Sequence, residues 1–211
     1  MSETVTATKN VAKPKTKKMD IRKITGTGML SAIAFVLMYL DFSVPFMPSF
    51  IKMDLSELPA LIASFTFGPT AGITVCLVKN LINVFFTTTG GIGELSNFIL
   101  GTLFVAPAGL IYQKMRTKKG AIIASLVGAA TMAAVSVFTN YYVVYPVYSN
   151  IMAPMEAILG AYRAINPNVE TLMDALLWFN MPYTFIKGMV SVVITMLIYK
   201  PLAPILRGKN H

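Results

Sequence analysis

The chain has 211 residues, 55% hydrophobic and 13% charged, with a net charge of +9 and a mean hydropathy of +0.64. Soluble domains carry about 25% charged residues, so the composition excludes an ordinary water-soluble domain and points to an all-α integral membrane protein. One cysteine, Cys76, and one histidine, the terminal His211, exclude a disulfide framework, a thiolate metal site and histidine-based catalysis.

Residues 1–23 are polar and carry Lys9, Lys13, Lys15, Lys17, Lys18, Arg22 and Lys23. They read as a disordered basic tail rather than a signal peptide, because no cleavage-site pattern follows a short apolar core. The membrane domain occupies 24–206. Its hydrophobic runs predict six transmembrane helices at about 24–40, 56–67, 69–88, 94–114, 120–145 and 176–199. The second is short: a dozen residues reach about 18 Å, against a hydrocarbon core of about 30 Å. It follows a proline-rich loop, stops at Gly68-Pro69, and suits a cavity wall better than a lipid-facing span. The linker after the fourth helix holds Lys114, Arg116, Lys118 and Lys119, and the end of the chain holds Lys200, Arg207 and Lys209, the last two in a tail at 207–211. Six crossings put both termini and this linker on one side, and the excess of lysine and arginine makes that side the cytoplasm. The protein is therefore expected to be multi-pass in the cell membrane, with its basic tail against anionic lipid. No aromatic-basic surface accompanies the charge, so nucleic acid is not an expected partner.

Polar groups within the membrane are costly and each needs a reason. The third helix carries Lys79, Asn83 and Thr87 on one stripe. The fourth opens with Glu94 and Asn97, and the fifth ends with Asn140 and Tyr141. The sixth carries Asn180, Thr184, Lys187, Ser191 and Thr195 along one face. By depth, Glu94, Asn97, Asn140, Asn180, Thr184 and Lys187 converge in the outer half of the bundle as a cavity for a polar organic solute. Asn83, Ser191 and Thr195 read as ties between helices. Lys79 either pairs with an acid such as Glu57 or contacts ligand. The GGIG at 90–93 lacks the spacing of a phosphate loop and reads as a tight turn. Gly28 and Ala32 form a small-residue surface on the first helix, serving either packing within the bundle or docking of a partner. An enzyme acting on lipid would need clustered acids or histidines, and none is evident.

The segments FIKMDLSELPALIASFTFGPTAG, VKNLINVFFTTTGGIGELSNFILGTLFVAPAGLIY, TNYYVVYP and PYTFIKG resemble the substrate-binding S components of energy-coupling factor (ECF) vitamin transporters, over about 24–206. The GELxNF block is the most specific part. The resemblance implies a six-helix bundle holding riboflavin, as transported ligand and not as cofactor, under the loop joining helices one and two. It implies ring contacts from Glu94, Asn140 and Lys187. Where an asparagine commonly precedes that lysine by three residues, this chain has Thr184, and Asn180 one turn earlier is the candidate substitute. Phe46, Phe50, Tyr141 or Tyr145 would supply apolar contact, and Thr87 to Thr89 with nearby amides would meet the ribityl hydroxyls. The resemblance also implies partners: a transmembrane coupling protein (EcfT), docked through Gly28 and Ala32, with two EcfA-type ATPases. No catalytic residue and no metal are expected.

Overall fold

The computed structural model describes residues 21–87, 89–151 and 153–207, with side chains to residue 199. Most of the basic tail and positions 208–211 lie outside the described residues.

Among the described residues, five apolar helices are long enough to cross a membrane: Ile21–Tyr39, Pro69–Phe86, Ile92–Lys114, Lys118–Ile151 and Leu172–Tyr199. Helix α1 spans Ile21–Tyr39. A loop follows in which two short strands, β1 (Phe42–Ser43) and β2 (Lys52–Met53), pair antiparallel with Phe42 opposite Met53. The polar, proline-rich stretch is thus a hairpin rather than a plain loop. Helix α2, Glu57–Phe67, has 11 residues, and nine of them, Glu57 to Phe65, are buried. It packs against α1, against α3 (Pro69–Asn83), against α4 (Ile92–Lys114) and against the last helix. At about 16 Å it is too short to span without the loop that precedes it, and its burial on all sides explains why it is mostly apolar.

The break between α2 and α3 is built by Gly68, whose φ of 98° lies in the left-handed region. Its N–H donates to Ser64 O at 3.0 Å, and Pro69 opens α3, where the missing N–H costs nothing. Helix α4 and helix α5 (Lys118–Thr139) cross closely enough that a Cβ on Gly128 would clash with the Phe104 carbonyl oxygen. Small residues permit this approach where lipid offers no hydrophobic drive.

The last third departs from the predicted boundaries. Helix α5 does not stop at 145. It passes through a turn of π-helix, Asn140–Val144, and continues as α6, Tyr145–Ile151. The final helix starts early: α8 (Leu172–Ala175), capped by a reciprocal Thr171–Asp174 pair, leads through a second π turn, Leu176–Asn180, into α9, Met181–Arg207. Between them lies an unexpected helix, α7, Met155–Arg163. Its Ile158, Leu159 and Tyr162 are buried at helical spacing, and Ile158 and Tyr162 join a cluster with Val137, Tyr145, Val169 and Leu176. Averaged hydropathy misses so short an amphipathic helix because Glu156 and Arg163 on its outer face cancel the signal.

Exposed aromatic residues, Tyr39, Phe85, Phe86, Tyr142 and Trp178, gather at one end of these helices. The basic linker between α4 and α5 marks the opposite end. That pairing of aromatic belt and basic loop fits a bilayer-embedded body.

Candidate functional site

Thr87 and residues 89–95 form a turn around one carboxylate. Gly91, in the left-handed region at φ 88°, caps α4 and leaves Glu94 in its first turn, where the helix dipole favours negative charge. Asn83 Nδ2 donates to Glu94 Oε1 at 3.0 Å, and the hydroxyls of Thr87 and Thr89 donate to Oε2 at 2.9 and 3.2 Å. Thr87 Oγ1 also accepts from the backbone N–H groups of Thr89 and Gly91. Asn83, read from the sequence as a helix tie, does tie α3 to α4, and it does so by bracing Glu94. The Thr87 and Thr89 hydroxyls, expected to meet a ligand, are spent on the same carboxylate.

This carboxylate lines an outer cavity of about 650 Å³ with Thr87, Asn97, Asn140, Asn180 and Phe50. An inner recess of about 130 Å³ is lined by Thr184 and Lys187 and shares Ile51, Lys52, Ser96, Asn97, Asn140 and Asn180 with the outer one. The two form one polar space enclosed by the β-hairpin loop, α4, α5 and α9. Eight of the nine predicted ligand residues border it. Tyr141 does not line either volume: it is exposed and stacks edge-on with Tyr142, ring centroids 5.0 Å apart. Phe46, also considered, points into solvent at the loop tip with a φ of 64°. Ser96, Met38 and Tyr148 line the outer or inner volume without having been singled out in the sequence.

Beneath the recess sits a buried ionic cluster. Lys187 Nζ donates to Asp54 Oδ2 at 2.8 Å and lies 3.7 Å from Glu57 Oε2, and Lys79 Nζ donates to Glu57 Oε1 at 3.0 Å. Ser56 completes it: its hydroxyl accepts from Lys79 and donates to Asp54. Lys187 therefore does not pair with Glu94; its counter-charge comes from the loop. Lys79 takes the first of its two expected roles, pairing with Glu57. Burial by itself would raise the Asp54 pKa, but the charges of Lys187 and Lys79, with hydrogen bonds from Lys187 and Ser56, outweigh it and hold the carboxyl well below the usual carboxylate range. Ser191 donates to the Lys187 carbonyl at 3.2 Å, a bond within its own helix.

Asn180, which lines both volumes, is held by two phenols. Its Nδ2 donates to Tyr145 Oη at 2.9 Å, and its Oδ1 accepts from Tyr162 Oη at 2.7 Å. The two phenols are also bonded to each other, which closes a ring of three side chains. That ring ties α7 to α6 and to the start of α9, and Phe50 packs edge-on against Tyr162 at 5.9 Å. Asn140 and Asn180 stand at the two π turns, where one extra residue per turn re-aims a side chain.

On the opposite flank a groove of about 460 Å³ runs between α1 and α3, lined by Gly28 and Ala32 with Thr70, Ala71 and Thr74. A Cβ on Gly28 would meet no atom within 4 Å, whereas one on Gly26 would strike the Phe67 ring at 2.5 Å. Gly26 is thus the packing glycine, and Gly28 stands open.

Residues 22–199 match the family of ECF transporter substrate-specific components. The chain belongs to this family. The S-component assignment is supported by relatives along nearly the whole chain. The riboflavin transporter RibU of Staphylococcus aureus (strain TCH60) is 35% identical over 186 residues, covering 88% of this chain and 93% of that protein. The riboflavin transporter FmnP of Bacillus subtilis (strain 168) is 33% identical over 190 residues, covering 88% and 94%. A solved S component of a bacterial ECF transporter superposes with a TM-score of 0.71 at 34% identity, covering 90% of this chain and 99% of that one. The chain is thus the substrate-binding component of an ECF transporter, a multi-pass membrane protein and not an enzyme. Among the described residues, no three or more metal-ligating side chains gather.

Proposed function

We propose that this S component takes riboflavin from the outer face of the cell membrane and hands it to an ATP-driven coupling module. One observation carries the reading: Glu94 is a buried acceptor held by three neutral donors, beside the amides Asn97 and Asn140 and above the Lys187 ammonium. The pyrimidine edge of a flavin alternates donors and acceptors, and a dry pocket selects for it because each group left unpaired costs about 1–3 kcal/mol. The names borne by the Staphylococcus and Bacillus relatives support the same ligand. In this reading α2 is a short sixth membrane element, both termini are cytoplasmic, and the aromatic end faces outward. Titrating riboflavin into the detergent-purified protein should quench flavin fluorescence at a one-to-one endpoint. Unchanged fluorescence at micromolar protein would retire riboflavin and turn the search to other vitamins.

The coupling partners in this proposal are a transmembrane EcfT protein with two EcfA-type ATPases, docked at the open Gly28–Ala32 groove; lipid covers the rest of the helices and nucleic acid has no part. Gly28→Leu should abolish riboflavin uptake by cells while leaving the affinity of the purified protein within about twofold, because the added side chain fills the groove and not the cavity. Normal uptake by this variant would remove the groove from the docking surface.

A further inference from the structure

We propose that Asp54, which belongs to the hairpin loop and not to any helix, is a positioning residue for ligand recognition that acts through Lys187. The inference rests on the riboflavin reading. A lysine carries a flexible four-carbon stem and three donors, so an unrestrained ammonium is a poorly aimed one. Among the described groups one tie fixes this one: Lys187 Nζ donates to Asp54 Oδ2 at 2.8 Å, while Glu57 Oε2 at 3.7 Å lies beyond hydrogen-bond reach.

Asp54 is itself braced. Its Oδ1 accepts from the Ser56 backbone N–H at 2.9 Å and from the Ser56 hydroxyl, so the carboxylate cannot swing away without breaking both. Glu57 is engaged by Lys79, which leaves Asp54 as the group that can hold Lys187. The cluster contains two ammonium groups and two carboxylates and is neutral. Lys187, bordering the inner recess, therefore meets a ligand as an aimed donor and not as an unbalanced charge. A further pair on the same loop, Lys52 with Asp41 at 3.1 Å, links the strand preceding Asp54 to the end of α1. The loop that encloses the cavity thus also sets the geometry of its floor.

The test is a double-mutant cycle on riboflavin affinity, using the full chain in detergent and alongside it the thermal midpoint of each ligand-free protein. Asp54→Asn and Lys187→Met should each weaken binding by about tenfold or more, and the double variant should match Lys187→Met within about twofold. A purely structural role for Asp54 would lower the midpoint but multiply the two losses in affinity. Asp54→Glu, which keeps the charge and displaces the ammonium, serves if Asp54→Asn does not fold. It should weaken binding severalfold in the wild-type background and have no effect beside Lys187→Met. Multiplicative losses, or wild-type affinity in Asp54→Glu, would overturn the positioning role. A wild-type chain that binds no riboflavin would instead defeat the ligand reading beneath it.

Discussion

Glu94→Ala is expected to weaken riboflavin binding by about ten- to a hundredfold. A hydrogen bond to a charged group contributes about 1.5–3 kcal/mol, and each 1.4 kcal/mol is a factor of about ten in affinity. Glu94 is 6% exposed, and Asn83, Thr87 and Thr89 already hold its carboxylate in place, so its acceptor geometry is preorganised before any ligand arrives. Truncation removes the acceptor and strands three donors at the cavity wall, so the ligand-free protein should also melt earlier. Glu94→Gln separates the two effects: it preserves shape, so the midpoint should move less than for alanine while the affinity still falls. Equilibrium titration by flavin fluorescence decides the matter, and an alanine variant within twofold of wild type would remove Glu94 from the binding site.

The second large effect concerns stability. Lys79 is 0% and Glu57 2% exposed in their side chains, at 3.0 Å from each other. Removing one member of such a pair leaves an uncompensated charge in a low-dielectric interior, which costs about 3–5 kcal/mol, whereas replacing both by apolar groups of similar volume is often neutral. Glu57→Leu should therefore destabilise the apoprotein strongly, with Lys79 left on the Ser56 hydroxyl alone for a hydrogen bond. Glu57→Leu with Lys79→Met should recover most of the loss. Thermal unfolding of the three proteins in one detergent measures this, and a single variant as stable as the double would show that the pair is solvated or dispensable.

Charge and hydropathy read along the chain established the membrane class, the long spans and the shortness of α2, because bilayer thickness and segment length are both one-dimensional quantities. Glu94, Asn97, Asn140, Asn180, Thr184 and Lys187 stood out for a similar reason, since an amide or charge in an apolar run is conspicuous; the cavity-lining Ser96 and Tyr148 did not. The amphipathic α7 did not, since Glu156 and Arg163 offset its few apolar residues in any averaged window. Nor did the π turns, which arise where packing of α5 and α9 admits an extra residue and leave no periodic trace.

Which polar groups meet was decided by the tertiary structure alone. Lys79, Asn83 and Thr87 share one helical stripe, yet Lys79 turns to Glu57 while Asn83 and Thr87 turn to Glu94. Lys187 reaches across 133 positions to Asp54 rather than to Glu94, its expected neighbour at the ligand. Asn180, placed on the correct face by its spacing, is held in place by Tyr145 and by Tyr162 of a helix that hydropathy did not reveal. A buried charge must find a counter-charge within hydrogen-bond reach, and a helix stripe faces more than one neighbour. Spacing limits the candidates, but the register and tilt at which helices pack choose among them.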